Sequence, residues 1–171
     1  TAQPARTGRP AATPRPTPAV QPTQRPTATD SVSSPADVGD YTTLSVSAQE
    51  YSAWNLLNAD RAAAGLPALP LDEKLCAIAR IKSMDMKENK YFAHESPTYG
   101  KAADMLKTFG YSFRGVAENI AHHATVEKAQ AAFRSSTGHR ASILGSQWTR
   151  VGVGVWTDDQ GFVYVTQLFA R

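Results

Sequence analysis

The chain has a single cysteine, Cys76, among its 171 residues. No disulfide bond can form within one copy of the chain, so its fold must be held by packing and hydrogen bonds. A lone cysteine on a helix usually behaves as a small buried apolar side chain, whereas an intermolecular bridge or a reactive thiol needs an accessible position. We therefore expect Cys76 to be buried on a helix.

Long apolar runs are also missing from the sequence. No stretch reaches the roughly 18 consecutive apolar residues that cross a bilayer, and the first residues lack a charged segment followed by an apolar one. The sequence therefore predicts no transmembrane segment. A leader removed by cleavage would leave no trace in it.

Large apolar side chains are scarce in the first forty residues, where only Val20, Val32 and Val38 occur. Eight of the eleven prolines lie in the same stretch, with many Thr, Ala and Ser residues. Such a segment cannot offset the roughly 1–2 kcal/mol per residue of backbone entropy that folding costs. We predict a disordered Pro/Thr-rich linker over residues 1–43 and one folded domain over residues 44–171. Such a linker is typical of proteins that are secreted or tethered to the cell surface.

Positive charge is slight and dispersed. The net charge is +3, and the four arginines of the linker stand apart among prolines. A nucleic-acid surface would need clustered cations, so we expect no nucleic-acid partner.

Helix signals open the predicted domain. Ser47 and Glu50 have the spacing of a capping box and predict a helix over residues 48–64, while Asp72 is the predicted cap of a helix over residues 73–89. The other expected elements are a short helix over 101–109, a strand over 116–120, a helix over 126–135, a helical turn over 139–144 and a hairpin of strands 151–156 and 162–169. Together they predict an α+β fold with helices packed on a small antiparallel sheet.

The second predicted helix carries one lysine among its apolar residues. At helical spacing, a single stripe contains Leu75, Ile78, Ala79, Lys82 and Met86. The remaining charged residues are expected mostly to face away from this stripe: Glu73, Lys74, Arg80, Lys87 and Glu88.

Five motifs follow one another between residues 50 and 170. They are Leu57-Asn58 with Arg61 and Gly65-Leu66; Phe92-Ala93-His94-Glu95-Ser96-Pro97; Ala117-Glu118-Asn119-Ile120-Ala121; Ser136-Thr137-Gly138-His139-Arg140-Ala141-Ser142-Ile143-Leu144; and Val151-Gly152-Val153-Gly154 with Gln167-Leu168-Phe169-Ala170. Each is weak alone, but in this order they resemble the superfamily of cysteine-rich secretory, antigen 5 and pathogenesis-related 1 proteins, called CAP, and its bacterial branch in particular. The chain departs from the usual family residues at Phe133 (Trp), Ala117 (Gly), Thr137 (Pro) and Ser142 (Asn).

The resemblance implies an α-β-α sandwich, an extracellular location and a cleft in which two histidines and a glutamate meet. In this sequence the matching residues are His94, Glu118 and His139, which we call the His/Glu cleft. Animal members of the superfamily carry a second cleft glutamate further downstream. Here only Glu127 lies between Glu118 and His139, and it is a poor substitute. We therefore expect three groups in the cleft rather than four.

The residue types of the His/Glu cleft permit zinc binding. Two imidazoles and one carboxylate supply three positions of a tetrahedral Zn²⁺ site and leave the fourth for water, as in many zinc hydrolases. The chain has no HExxH spacing that would place two histidines on one helical face. Zinc ligation by His94 and His139, with Glu118 as a third ligand, therefore follows from the resemblance alone.

Three functions remain open at this stage. The first, which we favour, is a secreted non-catalytic module, expected to be monomeric, that binds a lipid, a glycan or a protein in the cleft. The second is a metal-dependent, protease-like hydrolase in which Glu118 is the candidate catalytic base. The third is a purely structural surface domain. Resemblance indicates fold more securely than activity, which is why binding is preferred.

Each cleft residue also has an ordinary structural interpretation. His94 could bond to nearby backbone within its loop, Glu118 could pair with Arg140, and His139 could cap its short helix. His122 lies at strand alternation from Glu118, so it could edge the cleft or stand exposed in a loop.

Aromatic residues flank the His94 loop. They could border a ligand groove or simply pack in the core, and they are Tyr91, Phe92, Tyr99, Tyr111 and Phe113.

Overall fold

The computed structural model of the protein describes residues 45–171, and the predicted linker over residues 1–43 lies outside the described residues. Helices and strands follow in the order α1 (Ala48–Ala63), α2 (Glu73–Glu88), α3 (Ala102–Thr108), β1 (Val116–His123), α4 (Val126–Ser135), α5 (Thr137–Ile143), β2 (Arg150–Thr157) and β3 (Val163–Ala170). Over this range no helix combines the length and the apolar character needed to cross a membrane.

The two long helices begin where the sequence predicts. The backbone N–H of Glu50 donates to Ser47 Oγ at 3.2 Å and the backbone N–H of Ser47 donates to Glu50 Oε2 at 2.8 Å, which completes the capping box of α1. Asp72 Oδ1 accepts from the backbone N–H of Leu75 at 2.9 Å and caps α2. The predicted start signals of both helices are confirmed.

The three strands form one antiparallel sheet in the order β1-β3-β2. The predicted hairpin is confirmed as β2 and β3, and β1 returns to pair with the other edge of β3. Register places Glu118 of β1 opposite Leu168 of β3, which in turn lies opposite Gly152 of β2. Strand β1 runs to His123, three residues beyond the predicted end.

Helices cover both faces of the sheet. On one face, α2 packs Leu75 and Ile78 against Leu168, and on the other, α1 and α4 pack Leu57 and Phe133 against the odd-numbered residues of β2 and β3. The α-β-α sandwich is therefore confirmed. Because both faces are covered, β2 and β3 are buried along nearly their whole length.

Helix α2 lies directly on β2 at two glycines. A Cβ atom added to Gly152 would overlap the backbone of Leu75 and Cys76, and one added to Gly154 would overlap the backbone of Ala79 and Arg80. Any side chain larger than hydrogen would push the helix away from the sheet. The two glycines therefore set the distance between α2 and the sheet.

A buried ion pair joins α1 to α2. Arg80 donates to Glu50 through Nη2 at 2.6 Å and through Nε at 2.7 Å, and the backbone N–H of Val155 reaches Glu50 Oε1 at 3.3 Å. At 3.6 residues per turn, Arg80 lies on the other side of α2 from the stripe that contains Lys82, as predicted, but it is buried there. Its guanidinium is buried because the first turn of α1 supplies a carboxylate in bidentate geometry.

Cys76 is buried on α2, as predicted. Its Sγ accepts from the backbone N–H of Val153 at 3.2 Å, and burial raises the pKa of the thiol to about 12. The protonated thiol of the native chain is therefore a packing group rather than a nucleophile.

The contact between α2 and β2 yields a stability prediction. Gly154→Ala forces a methyl group into helix backbone and should destabilise the fold by about 3 kcal/mol or more, in the upper part of the range for overpacking. Gly138→Ala is the matched control because a Cβ there meets no atom within 4 Å. The control should be neutral or gain up to about 1 kcal/mol, since alanine favours a helix over glycine. Urea denaturation measures both, and equal effects of the two variants would contradict the packing argument.

Candidate functional site

His94 and Glu118 meet at one side of the sheet. His94 lies in the loop between α2 and α3, and its Nδ1 is 2.8 Å from Oε1 of Glu118 on β1. Their environments differ sharply, since the His94 side chain is 59% exposed and that of Glu118 is 5% exposed. The pair therefore joins a buried carboxylate to an imidazole that solvent and ligands can reach.

Only one of the two carboxylate oxygens of Glu118 has a hydrogen-bond partner among the described residues. One oxygen meets His94, while Oε2 is buried and has no hydrogen-bond partner among the described residues. Burial raises the pKa of the carboxyl, against the opposing effects of the His94 hydrogen bond and the positive charge of Lys82. A buried carboxylate oxygen without a donor costs free energy that the fold does not recover.

The Glu118 bond determines which nitrogen His94 offers to a ligand. With Glu118 ionised and His94 neutral, Nδ1–H donates to Oε1, and the exposed Nε2 carries a lone pair. The exposed His94 ring then offers a ligand one acceptor, Nε2, whereas Glu118 Oε2 is buried. Such an acceptor is complementary to a hydrogen-bond donor.

His139 lies on α5 and is half-buried. Its ring stands edge-on to Phe133 at a centroid distance of 5.2 Å, and its carbonyl accepts from Asn119 Nδ2 at 3.1 Å. Burial first, and the charge of His94 second, lower the pKa of His139. His139 therefore favours its neutral form at pH 7.

The three cleft residues do not assemble as a zinc site in this geometry. Within residues 45–171, no three His, Cys, Asp or Glu side chains are grouped so as to hold a metal ion. Nδ1 of His94 is already bonded to Glu118 rather than turned toward a shared ion. The residues thus do not fit a Zn²⁺ ion held by all three, and we assign zinc no part in the function proposed for the cleft.

The loop that carries His94 is tied to α2 by two buried charged residues. Lys82 donates to the carbonyls of Ala93 and His94, and Asp85 accepts from Ser96 Oγ at 2.6 Å. Neither residue was predicted to belong to the site. The sequence contained one indication of it, because a lysine on an apolar helix stripe must find hydrogen-bond acceptors when it is buried.

The other proposed cleft neighbours are engaged elsewhere. The predicted strand alternation of His122 with Glu118 is present, but His122 Nε2 lies 2.8 Å from Asp158 Oδ2 and its ring stacks on Tyr164 at 4.0 Å. Arg140 does not pair with Glu118. It lines a separate surface pocket of about 290 Å³, whose other lining residues are Asp60, Ala63, Ala64, Arg134, Ile143 and Leu144.

The flanking aromatic residues do not form a groove together. Tyr99 and Tyr111 are buried in the core, Phe113 packs against it, and Tyr91 donates its hydroxyl to Asp85. Only Phe92 among the five is largely exposed, at 53%. The core-packing interpretation therefore accounts for most of this set.

Sequence comparison identifies bacterial relatives of this chain. Two curated relatives come from Bacillus subtilis (strain 168) and are described as the uncharacterized protein YkwD and the uncharacterized membrane protein YlbC. YkwD is 46% identical over 120 residues, which are 66% of this chain and 47% of the relative. YlbC is 38% identical over 102 residues, which are 59% of this chain and 30% of the relative. The aligned part of this chain spans less than half the length of either relative.

Solved structures and a family profile agree with the fold. An extracellular protein from Bacillus anthracis that contains an SCP domain has a TM-score of 0.67 at 35% identity, over 72% of this chain and 40% of its own. An outer surface protein from Borrelia burgdorferi has a TM-score of 0.68 at 15% identity, over 75% of this chain and 96% of its own, which shows the fold alone. A profile of the cysteine-rich secretory protein family, CAP, matches residues 54–169. The chain therefore belongs to the cysteine-rich secretory protein family.

Proposed function

We propose that this chain is a non-catalytic binding module that works outside the cell, secreted or tethered to the surface, with His94, Glu118 and His139 lining its ligand cleft. The observation that carries the proposal is the buried Oε2 of Glu118, which has no hydrogen-bond donor beside the exposed ring of His94. An unpaired buried polar atom lowers the stability of the fold, and natural proteins tolerate such destabilising features mainly at functional sites. The description of the Bacillus anthracis relative as an extracellular protein supports the location.

The exposed ring of His94 indicates the chemistry of the ligand. Its Nε2 acceptor suits a partner with an O–H or N–H group, as sugars and peptide backbones have. An alkyl chain would leave this acceptor unpaired and would gain nothing from it. Of the ligand classes open to the family, the cleft atoms therefore favour a glycan or a peptide over a lipid tail.

A metal-dependent hydrolase is the less favoured function. It needs the two imidazoles and the carboxylate to converge on one ion, and the cleft holds its carboxylate against Nδ1 of His94 instead. This contact suits Glu118 as a hydrogen-bond acceptor in a binding cleft better than as a catalytic base.

Ligand binding can be measured by NMR titration of the ¹⁵N-labelled chain with two defined probes, triacetylchitotriose and trialanine. We expect one of them to shift the signals of His94 and His139. Glu118→Gln should weaken that binding at least ten-fold, or about 1.4 kcal/mol, because an acceptor is replaced by an amide that also donates. Glu127→Gln is the matched control, since Glu127 is exposed on α4, and it should bind like the wild type.

Two outcomes would contradict the binding module. One is the failure of both probes to perturb any cleft signal. The other is hydrolysis of a peptide or ester substrate that Glu118→Gln abolishes at unchanged stability, because turnover would establish an enzyme.

Stability should depend on pH through the buried carboxyl. Because burial raises the folded-state pKa of Glu118 above its ordinary value of 4.5, its contribution to stability is fully present below that pH and is lost as pH rises through the folded pKa. Glu118→Gln removes this loss, so the variant should gain stability relative to the wild type between pH 4.5 and pH 7. Urea denaturation at several pH values measures the difference.

Glu127 is a control whose pKa shift has the opposite direction to that of Glu118. Hydrogen bonds from its own backbone N–H and from Thr125 lower the pKa of Glu127, so its contribution is present above the ordinary pKa and is lost as pH falls. Glu127→Gln should therefore lose stability relative to the wild type as pH rises. Parallel trends for the two variants would show that Glu118 is not strained by burial.

A further inference from the structure

We propose that Lys82, together with Asp85 on the next turn of α2, is a positioning residue that aims His94 into the His/Glu cleft. The inference rests on the proposed function, because it assumes that His94 faces a ligand. It concerns a different part of the molecule, however: the buried face of α2 beneath the loop, which touches no ligand itself.

Lys82 fixes the backbone on both sides of His94. Its Nζ donates to Ala93 O at 2.9 Å and to His94 O at 3.1 Å. These oxygens belong to the two peptide planes that flank the His94 Cα, and a planar peptide moves as a unit. Holding both planes fixes φ and ψ of His94 and hence the direction in which its side chain leaves the backbone.

The third ammonium proton joins Lys82 to Asp85. Lys82 Nζ donates to Tyr91 Oη at 3.1 Å, and Tyr91 Oη donates to Asp85 Oδ2. The three donors of the ammonium group are thereby all used. Residues three apart lie on one helix face, so a cation and an anion are presented to the loop side by side.

Asp85 secures the loop on the far side of His94. Its carboxylate accepts from Ser96 Oγ at 2.6 Å and from Thr98 Oγ1 at 3.1 Å, in addition to Tyr91. Tyr91 lies before His94 in the chain, and Ser96 and Thr98 lie after it. One buried carboxylate therefore clamps the loop at both ends, while Lys82 holds its centre.

The orientation of His94 depends on these hydrogen bonds, because packing does not fix its side chain. Its side chain is 59% exposed, and its only side-chain hydrogen bond within residues 45–171 is the one to Glu118. Lys82, in contrast, is 1% exposed, and burying an ammonium group costs several kcal/mol unless its partners repay it. An apolar side chain of similar length would fill the space at lower cost but would leave both carbonyls and the loop unanchored.

The experiment compares Lys82→Met with Lys74→Met in the full chain. Lys74 is exposed on the same helix and serves as the matched control. The readout is the tautomer of His94 in two-bond ¹H–¹⁵N spectra, with the signal assigned by His94→Gln among the four histidines. The wild type and Lys74→Met should show the Nδ1-protonated form that donates to Glu118, whereas Lys82→Met should shift His94 toward the free-histidine mixture.

Probe binding separates this inference from the proposed function. Lys82→Met should weaken binding of the active probe, triacetylchitotriose or trialanine, about ten-fold, and Lys74→Met should leave it unchanged. If neither probe binds the wild type but the His94 tautomer still changes in Lys82→Met, the proposed function fails and the positioning role stands. If Lys82→Met lowers the melting temperature while the His94 tautomer stays that of the wild type, Lys82 is merely structural and the inference is overturned.

A milder variant covers the case in which Lys82→Met does not fold. Tyr91→Phe removes only the hydroxyl that links Lys82 to Asp85. It should produce a partial shift of the His94 tautomer and a smaller loss of binding. An unchanged His94 signal in folded Tyr91→Phe would then count against the inference.

Discussion

The close contact of α2 with β2 is the constraint on which the rest of the structure depends. Gly152 and Gly154 let the helix backbone touch the strand, and the contact is reinforced where Ser83 donates to Gly154 O at 3.0 Å. Because the helix backbone touches the strand, the residues of α2 have defined positions over the sheet. Arg80, Lys82 and Asp85 are buried on this helix, so a packing requirement also arranges the buried charges.

The buried charges of α2 are resolved in two different ways. Arg80 meets Glu50 in a bidentate pair, and a backbone N–H from β2 adds a further bond to the same carboxylate, so this group is well satisfied. Lys82 donates to three neutral oxygens; burial lowers the pKa of its ammonium group, and the negative charges of Glu118 and then Asp85 oppose that shift. The first arrangement joins α1 to α2 and β2. The second is less stabilising, because the ammonium group has only neutral hydrogen-bond partners, but it holds the His94 loop next to Glu118.

Much of the fold could be predicted from local signals, because caps, helical spacing and the hairpin pattern act over a few residues. The burial of Arg80 could not be predicted, because its partner, Glu50, lies 30 residues away, and helix periodicity contains no information about such a partner. The meeting of His94 with Glu118 came from family resemblance, since chain separation alone does not indicate it. Lys82 was correctly placed on the buried stripe, but its acceptors are loop carbonyls, whose positions no side-chain pattern encodes.

The proposed role of His94 shows why an exposed binding residue needs buried support. The His94 side chain is 59% exposed, so the apolar burial that fixes most side chains cannot act on it. Direction must then come from hydrogen bonds to its backbone and to one ring nitrogen, and the chain supplies these from α2 and β1. Because both supports rest on the same sheet, the position of His94 beside Glu118 depends on the packing of α2 on β2. In the proposed binding module, recognition at the surface is therefore a consequence of two glycines in the core.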